Sequence, residues 1–156
     1  MPRMLIGDRK RFPRLASFIE ELTSLPERDR AVFHHFVRAA FLSEDTARMA
    51  LGSSDGAPLL RITSLDDIAH RIYINGYFHT SRPDWVVLDA GIARRFEQDH
   101  TQSRARRLVE STVLHEMVHW GDCRRLGGRL TLDPELGKAF EQAAYGEDQD
   151  RYWDYP

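Results

Sequence analysis

The sequence predicts a mixed α+β domain, in which a small twisted sheet of three to four strands packs against one long buried helix. Two observations lead to this prediction: helical apolar spacing fills the first and last thirds of the chain, and strand-like runs fill the middle third. The 156 residues suit one domain with one hydrophobic core. We expect residues 1–58 to form a helical N-terminal part that covers the other side, and residues 59–156 to hold the sheet and the functional helices.

The composition is that of an ordinary globular protein, with 42% hydrophobic and 29% charged residues. With 22 basic and 24 acidic residues, the net charge of −2 gives no electrostatic footprint for nucleic acid. No apolar run approaches the roughly 20 residues of a membrane span. The N-terminus lacks the apolar stretch of a signal peptide, so we expect synthesis in the cytoplasm. The single cysteine, Cys123, excludes an internal disulfide and a cysteine-rich zinc site.

The first third predicts helices because its apolar residues recur at spacings of three and four. One helix buries a face made of Leu15, Phe18, Ile19 and Leu22. The run from Ser24 to Glu27 is typical of a capping box with proline in the first turn, and it predicts the start of a second helix. The apolar stripe of that helix consists of Val32, Phe33, Phe36, Val37, Ala40 and Phe41. A short helix is predicted from Ser43 to Leu51, with Gly52 past its end.

The middle third predicts strands. The candidate segments are 59–62, 71–74, 77–79 and 84–88. Asn75-Gly76 is typical of a two-residue hairpin turn between the second and third of these segments. Asp89, at the end of the last strand, is predicted to cap a following helix.

The last third predicts two helices, which would carry the chemistry. A long helix should run from about Ser103 to Trp120. A second should start at Asp133-Pro134 and stop near Gly146. The aromatic tail at residues 152–156 is expected to pack back on the domain.

The motif that carries the chemistry is H-E-x-x-H, at residues 115–119. Residues four apart share one face of a helix, so His115 and His119 can bind one Zn²⁺ ion at about 2.0–2.1 Å. Glu116 lies one step round the helix, where it can take a proton from a zinc-activated water and return it to the leaving amine. Residues 108–120 are apolar on nearly every side, which predicts a buried helix. Burying two histidines and a glutamate there would cost free energy unless they had a binding partner.

A catalytic zinc ion needs a third protein ligand. The extended motif H-E-x-x-H-x-x-G-x-x-H is absent, because Asp122 and Arg125 stand at its glycine and final histidine positions. We favour Glu141 on the following helix, where Gly137, one turn earlier, lets the two helices approach closely. The rivals are Asp122, Asp133, Glu135 and Asp148, of which Asp122 is better placed to orient a ligand histidine. Tyr145 is either a hydrogen-bond donor to the developing oxyanion or a core tyrosine.

These residues resemble the gluzincin branch of zinc metallopeptidases, which pairs H-E-x-x-H with a glutamate on a following helix. The resemblance covers about residues 72–146. It implies a zincin-like fold and hydrolysis of peptide bonds with Zn²⁺. It also implies an edge strand above the metal that pairs with an extended substrate. Residues 85–88 or the strand near Tyr77 would fill that place.

A narrower resemblance is to the metallopeptidase toxin domains that bacterial secretion systems deliver, some at the C-terminus of type VI spike proteins. It is carried by residues 115–122, Phe140-Glu141 and Tyr145-Gly146. It implies an antibacterial effector that is secreted and acts in the periplasm of a target bacterium on a peptide or peptidoglycan-type substrate. A cognate immunity protein would accompany it, and we expect a monomer.

Three alternatives remain open from the sequence. The deuterolysin-like branch also has a Tyr-Gly pair but takes an aspartate as third ligand, which Asp133 or Asp148 would have to supply. A zincin-like domain can bind zinc and act only as an interaction module, without catalysis. A helical interaction protein can also carry the motif by chance, and it would bind no zinc.

Overall fold

The structure, a computed structural model, describes residues 3–52, 55–65, 74–128 and 135–153, and its architecture is mixed α+β as predicted. The helices are α1 (Ile6–Arg11), α2 (Pro13–Glu21), α3 (Leu25–Arg28), α4 (Arg30–Ala39), α5 (Glu44–Leu51), α6 (Ala90–Asp99), α7 (Ser103–Arg125) and α8 (Leu136–Tyr145). A 3₁₀ turn, Leu22–Ser24, follows α2. The strands are β1 (Arg3–Met4), β2 (Leu59–Thr63), β3 (Gly76–Tyr77) and β4 (Trp85–Asp89).

Within the described ranges the sheet has four strands in the order β1-β2-β4-β3. Strands β1, β2 and β4 are parallel, whereas β3 runs antiparallel to β4. Residues alternate between the two faces of a strand, and the face that packs on the helices carries Leu60, Ile62, Val86 and Leu88, all buried. Strand β4 is internal and the edge strands are β1 and β3. Of the two alternatives for the edge strand beside the motif, residues 85–88 are therefore excluded, and the strand near Tyr77 lies at an edge.

Helix α7 lies at the centre of the domain. It contacts strands β3 and β4 of the sheet and helices α4, α6 and α8. It continues to Arg125, beyond the predicted end at Trp120, and most of its residues from Ala105 onward are buried. In the part of the chain that the structure describes, no helix is long and apolar enough to cross a membrane. The functional motif is therefore carried by the most buried helix, as its apolar surroundings predicted.

The predicted second helix is divided in two. Ser24 does not cap it, because its hydroxyl donates to the carbonyl oxygen of Glu21 at 2.7 Å. Helix α3 ends at Arg28, and α4 restarts after Asp29, whose carboxylate accepts a hydrogen bond from the Val32 N–H at 3.1 Å. The carboxylate of Asp29 makes the cap hydrogen bond that Ser24 does not make, which explains the restart. Phe41 follows α4 with φ of 55° and is 47% exposed, so it does not belong to the buried stripe.

The Asn75-Gly76 hairpin prediction is also wrong. Gly76 lies in β3 opposite Leu88, and the Asn75 carbonyl accepts a hydrogen bond from the Asp89 N–H at 2.9 Å. The segment therefore pairs with β4 rather than turning on itself. Residues 71–73 of the predicted hairpin, the predicted helix start at 133–134 and the tail at 154–156 lie outside the described residues. The predicted stop near Gly146 is confirmed, since this residue ends α8 with φ of 79°.

An aromatic contact is among those by which the N-terminal helices support α8. Phe36 on α4 meets Phe140 on α8 edge to face, with ring centroids 6.4 Å apart, and both rings are buried. We predict that Phe36→Ala lowers the free energy of unfolding by about 3–5 kcal/mol, because it leaves a cavity beneath α8. Phe41→Ala, at an exposed ring, should lower it by less than about 1 kcal/mol. Urea unfolding of both variants measures the difference, and equal losses would contradict this account of the core.

Candidate active site

The two histidines of the motif lie on the same face of α7. The ring centroids of His115 and His119 are 5.2 Å apart, with an angle of 59° between the ring planes. Both imidazoles are half-buried, whereas Glu116, between them in sequence, is buried. The helix therefore brings together the three residues of the motif as helical spacing requires.

A cleft of about 380 Å³ opens beside this face, between the sheet edge and α8. Three parts of the chain form its walls in addition to α7. They are the edge segment at residues 74–76, helix α8 through Lys138 and Glu141, and the segment at residues 148–150. From α7 itself, Thr112, His115 and Glu116 line the cleft.

Helix α8 lies directly against the first histidine at Gly137. A Cβ atom at this position would overlap the imidazole of His115, so only glycine allows the two helices to come this close. Glu141, one turn later, then reaches the same ring: its Oε1 lies 2.5 Å from His115 Nδ1. Its Oε2 accepts a hydrogen bond from the Gln149 N–H at 2.7 Å. The close approach that the sequence indicated at Gly137 thus brings the predicted glutamate to the motif.

Glu116 lies under the edge strand of the sheet. A Cβ atom at Gly76 would be 2.8 Å from Glu116 Cγ and 2.9 Å from its Oε1, so the glycine makes room for this carboxylate. Burial raises the pKa of Glu116 to about 7, with the His115 charge opposing and the Glu141 charge adding to the rise. A carboxyl with this pKa can both accept and release a proton near neutral pH.

The neighbouring imidazole is coupled to both carboxylates. Burial by itself lowers the pKa of His115. The hydrogen bond with Glu141 and the charges of Glu116 and Glu141 outweigh it and raise the pKa above its ordinary value. His115 Nε2 lies 3.9 Å from Glu116 Oε1, so the three groups form one electrostatic unit.

The residue types and backbone positions fit a divalent metal ion. Two imidazoles and one carboxylate are the donor set of His₂Glu zinc sites, and Gly137 provides the space for the carboxylate helix. The side chains as placed do not converge: among the described residues, no group of three His, Cys, Asp or Glu side chains is arranged to hold a metal. One oxygen of Glu141 meets His115 Nδ1 instead. Glu141 can become a ligand through a change in its side-chain torsions, or it can orient the histidine from this position.

The other candidates for the third ligand differ in whether they line the cleft. Asp122 is fully buried and accepts a hydrogen bond from Arg125 Nη2 at 2.7 Å. Glu135 is exposed just before α8. Asp148 is exposed but lines the cleft, and it accepts a hydrogen bond from Gln142 Nε2 at 2.7 Å. Asp133 lies outside the described residues. Of the described rivals, Asp148 is the one that lines the cleft.

The structure does not bring Tyr145 to the cleft. Its hydroxyl donates to Glu110 Oε1 at 3.0 Å, and the same carboxylate receives a hydrogen bond from Arg28 Nη2 at 2.6 Å. These groups line a second cavity, beside residues of α2, α3 and α7. Burial raises the pKa of Tyr145 well above its usual value, so the hydroxyl keeps its proton. The contact ties α8 to α7, and it replaces the predicted donation to an oxyanion, because the hydroxyl is already engaged away from Glu116.

Comparison with known proteins gives this arrangement a family. The sequence model of a family described as metallopeptidase toxin 3 matches residues 8–146, which include the H-E-x-x-H motif and Glu141. The chain belongs to this family. No curated protein and no solved structure matches it. The domain is thus a metallopeptidase toxin domain, with a peptidase function and a metal cofactor implied by its family.

Sequence reasoning missed three residues that line this toxin's cleft, Gly76, Lys138 and Gln149, and one residue beside it, Arg151. Gly76 carried a readable signal, since a glycine within a strand often marks close approach of another group, but it was interpreted as a turn. Lys138 lines the cleft with its Nζ 3.9 Å from Glu141 Oε2. Gln149 and Arg151 act through the contacts described below. No periodic or motif signal marks these last three residues, and the partners of Arg151 are 62 to 77 positions away in the sequence.

The raised pKa of Glu116 predicts a pH-dependent stability in the metal-free protein. A pKa of about 7 in the folded state, against 4.5 ordinarily, means that the folded state holds this proton more tightly. The carboxyl therefore destabilises the fold progressively as pH rises from about 4.5 to about 7. We predict that Glu116→Gln is more stable than the unaltered protein by about 3 kcal/mol above about pH 8, with the advantage disappearing below about pH 4.5.

Urea unfolding across this pH range measures the effect, with chelator present throughout. Glu135→Gln serves as the control, because it removes an exposed carboxylate, and its difference from the unaltered protein should vary little with pH. A constant advantage of Glu116→Gln at every pH would show that desolvation of the carboxylate is not the cause.

Proposed function

We propose that this toxin domain is a gluzincin-type zinc peptidase, in which His115, His119 and Glu141 hold the metal and Glu116 is the general base. One observation carries the proposal: the glutamate of the H-E-x-x-H motif is buried at the cleft under an edge strand, between two histidines that share one face of α7. The family match over residues 8–146 supports the peptidase class.

The chemistry follows from the residues around the cleft. When bound, the zinc ion supplies a Lewis acid for the substrate carbonyl and lowers the pKa of a water molecule. Glu116 accepts a proton from the attacking water and returns it to the leaving nitrogen, so one carboxyl serves both steps. The hydrogen bond between Glu141 Oε1 and His115 Nδ1 keeps this carboxylate beside the histidine until its side-chain torsions change. Strand β3, the edge strand over Glu116, orients an extended peptide backbone by pairing with it.

The biological target follows from the toxin family together with the narrower resemblance. We propose that the domain is a secreted antibacterial effector that cleaves a peptide or a peptidoglycan-type amide in the envelope of a target bacterium. A type VI secretion route and a cognate immunity protein belong to this proposal. A screen of fluorogenic peptides beside purified peptidoglycan gives the substrate class.

The metal ligands are tested by zinc affinity. We predict one zinc ion per chain in the purified protein and its loss in His119→Ala. Glu141→Gln should weaken zinc binding by about 10–100-fold or more, whether the carboxylate binds the ion or orients His115. Glu135→Gln, with the same change in charge on an exposed residue near α8, should bind zinc normally. Competition with a chromophoric chelator measures these affinities, and full affinity in Glu141→Gln would move the third ligand to Asp148.

The base is tested separately from the metal. We predict that Glu116→Gln retains stoichiometric zinc and loses peptidase activity by about 10²–10⁴-fold, because the amide cannot accept the proton from water. Elemental analysis and a peptide-cleavage assay on the same preparation measure both quantities. Unchanged toxicity in Glu116→Gln, together with no cleavage by the unaltered protein, would instead identify a zinc-binding interaction module. Unchanged cleavage in Glu116→Gln would show that Glu116 is not the general base. Absence of zinc from the unaltered protein would overturn the whole proposal.

A further inference from the structure

The segment of residues 147–151, which we call the cleft strap, follows α8 and forms one wall of the cleft. Its residues 148–150 line the cleft beside the edge segment at residues 74–76. The match to the family ends at Gly146, so the cleft strap follows the matched region.

The cleft strap touches the predicted metal ligand directly. The backbone N–H of Gln149 donates to Glu141 Oε2 at 2.7 Å, while the other oxygen of that carboxylate lies 2.5 Å from His115 Nδ1. Gln149 and Glu141 are both buried, at 9% and 4% exposed. A buried hydrogen bond from a backbone N–H to a carboxylate is charge-assisted, and it fixes the direction in which the carboxylate points.

A buried arginine holds the cleft strap in place. Arg151 forms an ion pair with Asp89 at 3.1 Å, and the two side chains are only 5% and 3% exposed. The guanidinium also donates to Asn75 Oδ1 at 3.0 Å and to the Ile74 carbonyl at 3.1 Å, both in the edge segment of the cleft. Asp89 in turn accepts hydrogen bonds from the Leu65 and Gly91 N–H groups, so its own position is fixed by the backbone.

We propose that the cleft strap is a positioning element of the metal site, in which the Gln149 N–H orients Glu141 and Arg151 anchors the strap to the edge strand. This inference rests on the proposed zinc site. Arg151 is suited to the role because its planar guanidinium contacts three groups in fixed directions, which a lysine ammonium does not reproduce. Arg151 thus connects the cleft strap, which contacts Glu141, to the edge segment, which lies close to Glu116.

The direct contact is tested by Gln149→Pro, which removes the N–H donor, against Gln149→Ala, which keeps it. We expect Gln149→Pro to weaken zinc binding by about 10–100-fold, as loss of an orienting hydrogen bond does. Gln149→Ala should bind zinc with the affinity of the unaltered protein, because it keeps the N–H donor. Arg151→Lys keeps the positive charge beside Asp89 but loses the guanidinium hydrogen bonds to Asn75 and Ile74. It should weaken zinc binding by about tenfold. It also provides the test if Gln149→Pro fails to fold.

A matched control separates positioning from general stability. Arg95→Gln loosens the residues after the strap, because Arg95 lies over the Tyr152 and Trp153 rings at 5.8 and 5.6 Å, without contacting the cleft. It should lower the metal-free Tm while leaving zinc affinity unchanged. Zinc affinity within about threefold of the unaltered protein in the folded Arg151→Lys and Gln149→Pro variants would overturn the inference and leave the zinc site standing. If the unaltered protein binds no zinc, both proposals fall.

Discussion

The close approach of α8 to α7 is the constraint on which the site depends. The two helices meet where Gly137 faces the imidazole of His115, and any side chain at residue 137 would push them apart. Glu141 lies one turn further along α8, so the spacing at the glycine decides whether its carboxylate reaches the motif. Phe140 on one side and the Tyr145 hydrogen bond to Glu110 on the other hold α8 at this distance. The N-terminal helices therefore contribute to the site indirectly, because they fix α8, the helix that carries Glu141.

The second constraint is the dry environment of Glu116. A carboxylate is costly to bury without a partner, and the raised pKa reflects that cost. The edge strand creates this environment by lying close above the side chain at Gly76. In the metal-free protein, this burial therefore destabilises the fold as pH rises towards neutrality. The same burial places the carboxylate at the cleft beside His115.

The parts of the molecule that could be predicted from sequence are those with a local cause. The spacing of His115 and His119, the apolar surroundings of α7 and the glycine one turn before Glu141 each act within one helix or one helix contact. The missed features all depend on which distant segments meet. Asn75-Gly76 satisfies a hairpin pattern locally, but pairing with β4 overrides it. Tyr145 stands one turn beyond Glu141, yet its hydroxyl is directed to Glu110 by the packing of α8 on α7.

The contacts of the cleft strap could not be predicted from the sequence. Its contact with Glu141 is made by a backbone N–H, which every residue except proline carries, so no residue type in the sequence could have indicated it. Its anchor is a pair of buried charges that are 62 positions apart in the sequence. An arginine and an aspartate removed from water together need several further hydrogen bonds to be tolerated, and both have them here. Such a network is specific in geometry, which is the property required of the wall that orients a metal ligand.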